Sequence, residues 1–337
     1  MIFLKNPRFF ILLCLFASAI SHSYFQKNEA GLEVFSFSRS FQSPRNMALE
    51  RSAAALPSVD PSIVQINPAG LEIANDKKNA VAIYWQTGVF ADNQATISYS
   101  RKLKAMTVQA SYGWIRYGDI DGYDEQGEPT GQVHSPQSQL FTLTSAFPLT
   151  HFRFGSTIKI ATDMLSGEVG DRTAVALAVD WGVSWVSNSS IFGFSFTARD
   201  FGAMIQDYVD DGSSDSYAMA QTISVSGFLK PKNIPRLSLL LDNSFPRYSQ
   251  ATSSLGAEYI LGNHVFLRGG FNRTWLDLSR DVKQLFASQS RSSESNEARL
   301  FSLGAGFLHP LFALDYSFSY LTQGLGMEHR FGLSFAF

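Results

Sequence analysis

The fold is decided by the last ten residues, Glu328-His329-Arg330-Phe331-Gly332-Leu333-Ser334-Phe335-Ala336-Phe337. In an extended chain, one face carries Phe331, Leu333, Phe335 and Phe337, while Arg330 and small residues occupy the other. This two-residue period is typical of a strand that separates lipid from a polar lumen. The stretch therefore predicts the closing strand of a transmembrane β-barrel, with the four apolar residues as its assembly signal.

The chain begins with a segment typical of exported proteins. Lys5 and Arg8 precede an apolar run at residues 9–16, and small residues follow it. Because the run is shorter than the roughly 20 residues of a membrane helix, residues 1–23 are predicted to be a secretory signal peptide. A buried N-terminal helix is the alternative. Cleavage would remove Cys14, the one cysteine of the sequence, and leave no disulfide framework.

Composition favours a barrel over a water-soluble protein. Charged residues make up 17% of the chain and Phe occurs 29 times. After the predicted signal peptide, no stretch approaches the roughly 20 consecutive apolar residues of a membrane helix. The apolar residues alternate with small and polar ones instead. The net charge of −2 argues against a nucleic-acid partner.

Segments of about ten alternating residues recur from Lys78 onward, and we count about fourteen of them. The clearest segment covers residues 175–185. Its apolar face consists of Val175, Leu177, Val179, Trp181, Val183 and Trp185. Ala, Asp, Gly and Ser residues form the other face. This two-residue period does not suit a helix.

The predicted connections fall into two groups. Short turns follow the second, fourth, sixth, tenth and twelfth segments, and long loops at residues 118–136, 200–216 and 277–295 follow the third, seventh and eleventh. Outer-membrane barrels place short turns on the periplasmic side and long loops outside. Residues 77–337 are therefore predicted to form an all-β, 14-stranded antiparallel outer-membrane barrel. A water-soluble β-sandwich is the alternative, but its solvent face would carry many Lys and Glu residues.

Residues 24–76 do not alternate and need another place in the fold. Ser43-Pro44 predicts the start of a short helix over residues 47–56. Asp60-Pro61 and Asn67-Pro68 predict two further turns of the same kind. Small residues and compact turns suit packing inside a barrel, so this segment is predicted to be a plug with short helices in the lumen.

The predicted plug carries the motif Asn67-Pro68-Ala69-Gly70-Leu71, preceded by Arg45-Asn46-Met47-Ala48-Leu49 and Asp60-Pro61-Ser62. Together with residues 117–131, these motifs resemble the FadL-like outer-membrane superfamily and, within it, the PorV/PorQ branch, with PorQ-type proteins the most similar. The resemblance implies the outer membrane of a Gram-negative bacterium, surrounding lipid, and insertion by the barrel-assembly machinery. One departure is Glu50-Arg51, where many relatives have a glycine pair.

The resemblance implies one of two functions. PorV and PorQ proteins assist cargo export or surface attachment in type IX secretion, with other secretion proteins and cargo as partners and no catalysis of their own. FadL members bind long-chain fatty acids or aromatic hydrocarbons in the lumen and transport them. We expect the first function, with passive transport of a hydrophobic ligand as the alternative.

Alternation also predicts which charged side chains point into the lumen: Arg153, Lys159, Asp180, Arg199, Glu258, Arg268, Asp315 and Arg330. Both signs occur, and an unpaired charge inside a closed barrel is costly. Ion pairs that hold the plug are therefore the favoured interpretation. Substrate selection is the alternative.

Other candidate features give weaker signals. The acidic loops around residues 119–128 and 207–215 lack the spacing of a calcium-binding loop and are predicted to be solvated or to face a partner. Met204-Ile205 and Leu285-Phe286-Ala287 are predicted to be apolar loop tips, for a hydrophobic ligand or a partner protein. The His residues fall mainly in turns without a nucleophile beside them, so no enzyme, metal site or cofactor is predicted.

Overall fold

The computed structural model describes residues 34–88, 91–124, 126–165, 172–208, 217, 219–285, 299–321 and 326–337. The predicted signal peptide and residues 24–33 of the predicted plug lie outside the described residues. The same holds for part of the acidic loops and for the predicted tip at Phe286-Ala287.

The described chain forms strands β1 (Asn79–Gly88), β2 (Ala91–Lys102), β3 (Thr107–Arg116), β4 (Ile120–Tyr123), β5 (Pro129–His134), β6 (Gln137–Pro148), β7 (Phe152–Met164), β8 (Ala174–Val186), β9 (Phe192–Gln206), β10 (Thr222–Leu229), β11 (Leu237–Pro246), β12 (Thr252–Leu261), β13 (Val265–Thr274), β14 (Arg299–Leu308), β15 (Phe312–Leu321) and β16 (Gly326–Ala336). Fourteen of them close into one antiparallel barrel in sequence order, and β4 and β5 form a separate hairpin. This confirms the predicted fold class of a closed 14-stranded barrel.

Alternation divides each strand between the lumen and the outer surface. In β8, Ala176, Ala178 and Asp180 are buried, whereas Leu177 and Trp181 are exposed, Trp181 by 50%. Outward side chains of the other strands are likewise Leu, Ile, Phe, Tyr and Trp. A strand in a bilayer needs partners for its backbone N–H and C=O groups and an apolar face toward the lipid. The closed ladder provides the first and the outward side chains provide the second.

The last strand pairs with the first, as predicted. Ala336 lies opposite Ala80 in the β1–β16 ladder. The Phe337 N–H donates to Asn79 O at 2.9 Å, and Phe337 O accepts from the N–H groups of Asn79 and Lys78 at 2.8 and 3.0 Å. Phe331, Phe335 and Phe337 are exposed on the outer surface. Their role as an assembly signal stays a prediction.

Deletion of Phe337 is expected to impair barrel assembly. It removes the three backbone hydrogen bonds that join the end of β16 to the start of β1, together with an outward ring. A larger fraction of unheated protein should then run at the unfolded position on a gel. Leu311→Ala, which truncates another exposed side chain in a turn, should fold normally. Equal folded fractions for the deletion and the wild type would contradict this expectation.

Residues 34–78, here called the lumenal segment, contact the inward faces of the strands. The segment contains one α-helix, α1 (Pro44–Ala48), and 3₁₀ helices at Ser36–Ser40, Ser52–Ala55, Pro61–Gln65 and Pro68–Gly70. The single helix predicted over residues 47–56 is therefore wrong. It is interrupted because Glu50 and Arg51 have φ angles of 47° and 62°, a left-handed conformation that favours glycine. The interruption falls at Glu50-Arg51, the two residues at which the sequence departs from the resembled motif.

Six short turns lie at one end of the barrel, here called the short-turn end: residues 103–106, 149–151, 187–191, 230–236, 262–264 and 309–311. The opposite, long-loop end contains structure that the sequence did not predict. The β4–β5 hairpin lies in the first long loop, and helix α2 (Trp275–Leu285) follows β13. Among the residues that the structure describes, no helix is long and apolar enough to cross a membrane.

The second long loop starts later than predicted. β9 continues to Gln206, past Asp200, where the loop was expected to begin. Met204 is buried within this extension, so the predicted loop tip at Met204 is wrong, although the neighbouring Ile205 is exposed. The extension is possible because a bulge at Asp200 restarts the ladder with β8.

Candidate functional site in the barrel lumen

Asn67 joins the lumenal segment to itself and to the wall. Its Nδ2 donates to Ala54 O at 2.7 Å and to Ser184 Oγ on β8 at 2.8 Å. Its Oδ1 accepts from the Ala69 N–H at 2.9 Å, which caps the helix that begins at Pro68. Asn67 is 0% exposed. The same side-chain cap followed by proline starts the helices at Ser43-Pro44 and Asp60-Pro61, which confirms the predicted helix starts.

Two glycines form the surface on which the Asn67 turn lies, and we call this pair the glycine seat. Gly155 on β7 and Gly182 on β8 are direct cross-strand partners. A β-carbon at Gly155 would overlap the backbone of Pro68 and Ala69, and one at Gly182 would overlap Asn67 Oδ1. A glycine within a strand can mark a bend or a close approach of another backbone. In the structure, a close backbone approach requires them.

A second glycine pair supports the other half of the lumenal segment. Gly256 on β12 and Gly270 on β13 are also cross-strand partners. A β-carbon at Gly270 would overlap the backbone of Leu49 and Glu50, and one at Gly256 would overlap Ser52 Oγ. The wall and the segment therefore have complementary shapes on both sides of the lumen.

Three of the eight predicted lumenal charges are Arg residues that donate hydrogen bonds to carbonyl groups of the lumenal segment. The acceptors are Ser40 O and Gln42 O for Arg330 (2.8 Å each), Ala69 O and Leu71 O for Arg153 (3.0 and 3.1 Å), and Gln65 O for Arg199 (3.4 Å). Arg153 also pairs with Glu72. Such donors satisfy carbonyl groups that short helices leave without partners. Arg153 and Arg199 lie on the two strands that flank β8, whereas Arg330 contacts the segment from β16.

Glu258, Arg268 and Asp315 form one network with Arg45 of the lumenal segment. Arg45 donates from Nε and Nη2 to the two Glu258 oxygens at 2.9 and 3.1 Å. Arg268 donates from Nε to Glu258 at 2.7 Å and from Nη1 to Asp315. Two positive and two negative groups make the network neutral, which burial requires. The alternating pattern could not identify Arg45 as a lumenal charge, because Arg45 lies outside the strands. The sequence analysis named it only as part of the resembled plug motif.

Lys159 and Asp180 meet at the bulge of β9. Lys159 Nζ lies 2.7 Å from Asp180 Oδ2 and 2.9 Å from Asp200 Oδ1, and its side chain is 2% exposed. Asp200 has a φ of 58°, and its N–H donates to Asp180 Oδ1 at 2.7 Å. The carboxylate of Asp180 thus replaces the ladder partner that the bulge removes. Sequence reasoning missed Asp200, because it assigned that position to a loop.

Apolar side chains fill the long-loop half of the lumen. Phe35, Phe37 and Phe41 of the lumenal segment pack with inward residues of the strands, among them Ile115, Leu140, Ala176 and Met204, and with Met219, which precedes β10. Tyr208 borders this cluster and donates to Asp163 Oδ2 at 2.6 Å. Burial and the adjacent Asp163 carboxylate raise the pKa of Tyr208 above its usual value. The hydroxyl therefore remains a donor at neutral pH.

Two adjoining cavities lie at the short-turn end. The first, of about 260 Å³, separates the lumenal segment from β11 to β16; the Arg45 network forms its polar wall, and Leu56, Ile260, Phe266 and Leu308 form its apolar wall. The second, of about 410 Å³, is lined by Val59, Ile73, Leu311, Phe312 and Phe335. Val59, Leu308, Ala313 and Ser334 line both cavities. A partly apolar space thus reaches the rim of the barrel.

The acidic loops offer no described metal site. Within the described ranges, no three His, Cys, Asp or Glu side chains lie together as metal ligands would. The Asp124 carboxylate accepts from the N–H groups of Gln126 and Glu128 and so closes a turn. Glu125, Asp210, Asp211 and Asp215 lie outside the described residues.

No protein-family model matches the chain, and no curated protein matches it either. Similar solved structures include the P. putida toluene transporter TodX, with a TM-score of 0.58 and 12% identity over 88% of this chain and 99% of TodX. The Ralstonia pickettii toluene transporter TbuX has a TM-score of 0.55 and 11% identity over 89% and 98% of the two chains. The chain has the fold of these transporters. In this barrel, the lumenal segment makes the contacts with the wall that are described above.

Proposed function

We propose that the protein is a non-enzymatic outer-membrane channel for passive uptake of small hydrophobic molecules. The proposal is supported by the fold that it shares with TodX and TbuX, which are described as toluene transporters. It is also supported by the eight predicted lumenal charges, which are paired with one another or bonded to the lumenal segment. Such a lumen offers no array of single-sign charge for ions.

The observation that carries the proposal is the pair of adjoining cavities at the short-turn end. The larger cavity, about 410 Å³, is in the range of small-molecule sites, roughly 300–1,000 Å³, and the smaller, about 260 Å³, is just below it. At the long-loop end, the packed cluster around Phe37 and Met204 makes the lumen apolar. A hydrophobic molecule would displace side chains of this cluster and then pass along the lumenal segment to the cavities. The acidic residues of the long loops favour uncharged molecules over anions.

Ala313→Phe is expected to slow uptake several-fold. Ala313 faces the point where the two cavities meet, so a larger side chain would fill the space between them. The control is Leu314→Phe, because Leu314 is the next residue of β15 but is 46% exposed on the lipid side. Uptake of radiolabelled toluene by cells of a deletion strain that carry each variant measures the effect, because a plain phospholipid bilayer would admit toluene without a channel. Unchanged uptake by folded Ala313→Phe protein would refute the route through the cavities.

A role in type IX secretion stays a prediction from the resemblance. A deletion strain separates the two functions, because hydrophobic uptake and surface display of secreted cargo can be measured in the same cells. The channel proposal predicts reduced uptake and normal cargo display. Lost display with normal uptake would support the secretion function and contradict the channel.

A further inference from the structure

The six turns of the short-turn end carry basic residues and no acidic ones. They contain Lys104, Lys230, Lys232 and Arg236, and the three His residues His151, His264 and His309. The first long loop at the other end carries Asp119, Asp121, Asp124 and Glu128. The short turns and the first long loop therefore differ in the sign of their charge.

Four basic residues lie close together along the backbone where β1 begins and β2 ends; we call Lys78, Arg101, Lys102 and Lys104 the basic rim patch. The Lys102 N–H donates to Lys78 O at 2.7 Å, and Arg101 lies opposite Asn79 in the β1–β2 ladder. Among the described residues, no carboxylate forms an ion pair with any of the four, and Asp76 pairs with Lys77 at 3.6 Å instead. The Lys102 ammonium donates to Asn75 Oδ1 of the lumenal segment at 3.4 Å, so Lys78, Arg101 and Lys104 carry the positive charge that no described ion pair balances.

The basic rim patch continues the lipid-facing surface. Arg101 follows Ile97 and Tyr99 on the outward face of β2, and all three side chains are exposed. The Tyr99 hydroxyl donates to Asn79 Oδ1 at 2.8 Å, at the level where aromatic residues mark a membrane interface. Leu103 is exposed at the turn tip between two Lys residues. At an interface, such an apolar tip enters the acyl region while the basic groups reach the phosphates.

We propose that the basic rim patch binds the phosphate groups of anionic glycerophospholipids in the leaflet around the short-turn end. A soluble acidic protein would approach from the aqueous side, whereas Arg101 points outward along the wall, next to lipid-facing Tyr99. The lipid phosphodiester would supply the negatively charged partner that no described carboxylate provides. Because the groups are exposed, binding weakens as salt increases.

Lipid competition on the full-length barrel tests this site. The purified protein is mixed with equal amounts of phosphatidylglycerol and phosphatidylcholine, and the lipids that remain bound are counted by native mass spectrometry. The test variant is R101Q/K102Q/K104Q. The control, R116Q/R280Q/K283Q, removes three exposed positive charges from the long-loop end and has the same net charge. Heat-dependent gel mobility checks that both variants are folded.

The wild type and the control should bind more phosphatidylglycerol than phosphatidylcholine. In the test variant, the ratio of the two bound lipids should fall about tenfold. An unchanged preference in the folded test variant would overturn the assignment. So would equal binding of the two lipids by the wild type. If polyglutamate then binds the wild type but not the test variant, the patch serves an acidic protein instead.

Discussion

Gly155→Val should destabilise the barrel and detach part of the lumenal segment from its wall. A side chain at this position would overlap the backbone of Pro68 and Ala69. That backbone cannot shift freely, because Asn67 is bonded to Ser184 and Arg153 is bonded to Ala69 O. Overpacking of this kind costs about 1–3 kcal/mol, and more where backbone is displaced. The midpoint of heat unfolding in detergent and protease cleavage within residues 34–78 report the two effects.

Gly227→Val is the matched control for this substitution. Gly227 lies in the middle of β10, where a β-carbon would be 3.5 Å from the Phe194 ring, an ordinary contact. Valine suits a strand whose outward face meets lipid. We expect this variant to unfold no earlier than the wild type. If the two variants unfold at the same temperature, the glycine seat does not hold the lumenal segment.

Lys159→Met should have an effect of similar or larger size. The substitution leaves Asp180 and Asp200 buried within a few ångströms of each other without the ammonium group between them. Removing one partner from a buried ion pair costs about 3–5 kcal/mol, because the remaining charge has no compensation. Urea unfolding of the purified barrel, followed by tryptophan fluorescence, measures the loss.

The triple variant Lys159→Met, Asp180→Asn, Asp200→Asn separates charge from shape. Asn at position 180 can still accept the hydrogen bond from the residue 200 N–H, and Asn tolerates the φ of 58° at position 200. The triple variant should therefore recover much of the lost stability. Lys232→Met, in an exposed turn, should change little. A triple variant as unstable as Lys159→Met would show that packing, and not charge, sets the cost.

The wall of the barrel could be predicted from the sequence because the pattern that encodes it is local. In β8, alternation of apolar and small residues over thirteen positions marks both faces before any partner strand is known. The three helix starts were equally accessible, since a capping side chain and the following proline are adjacent in the chain. The interrupted helix at Glu50 and Arg51 was not, because neither residue favours a positive φ on its own.

The candidate site was only partly predictable. Alternation marked Glu258, Arg268 and Asp315 as lumenal, but not that Arg45, more than 200 positions away from Glu258, completes their network. Asp200 was assigned to a loop because a bulge has no local sequence signal when it is made by a residue other than glycine. The need for glycine at positions 155 and 182 comes from the Asn67 turn, which is far away in the sequence.

The sequence by itself determined that this chain closes a barrel, which face of each strand meets lipid, and where the short turns lie. A period of two and the residues of a turn are properties of neighbouring positions, so they can be read without the fold. The tertiary structure alone decided how the lumen is filled: which carbonyl groups the Arg residues satisfy, which glycines lie under the lumenal segment, and where cavities remain. Those contacts join residues that are far apart along the chain, and closure of the barrel brings them together.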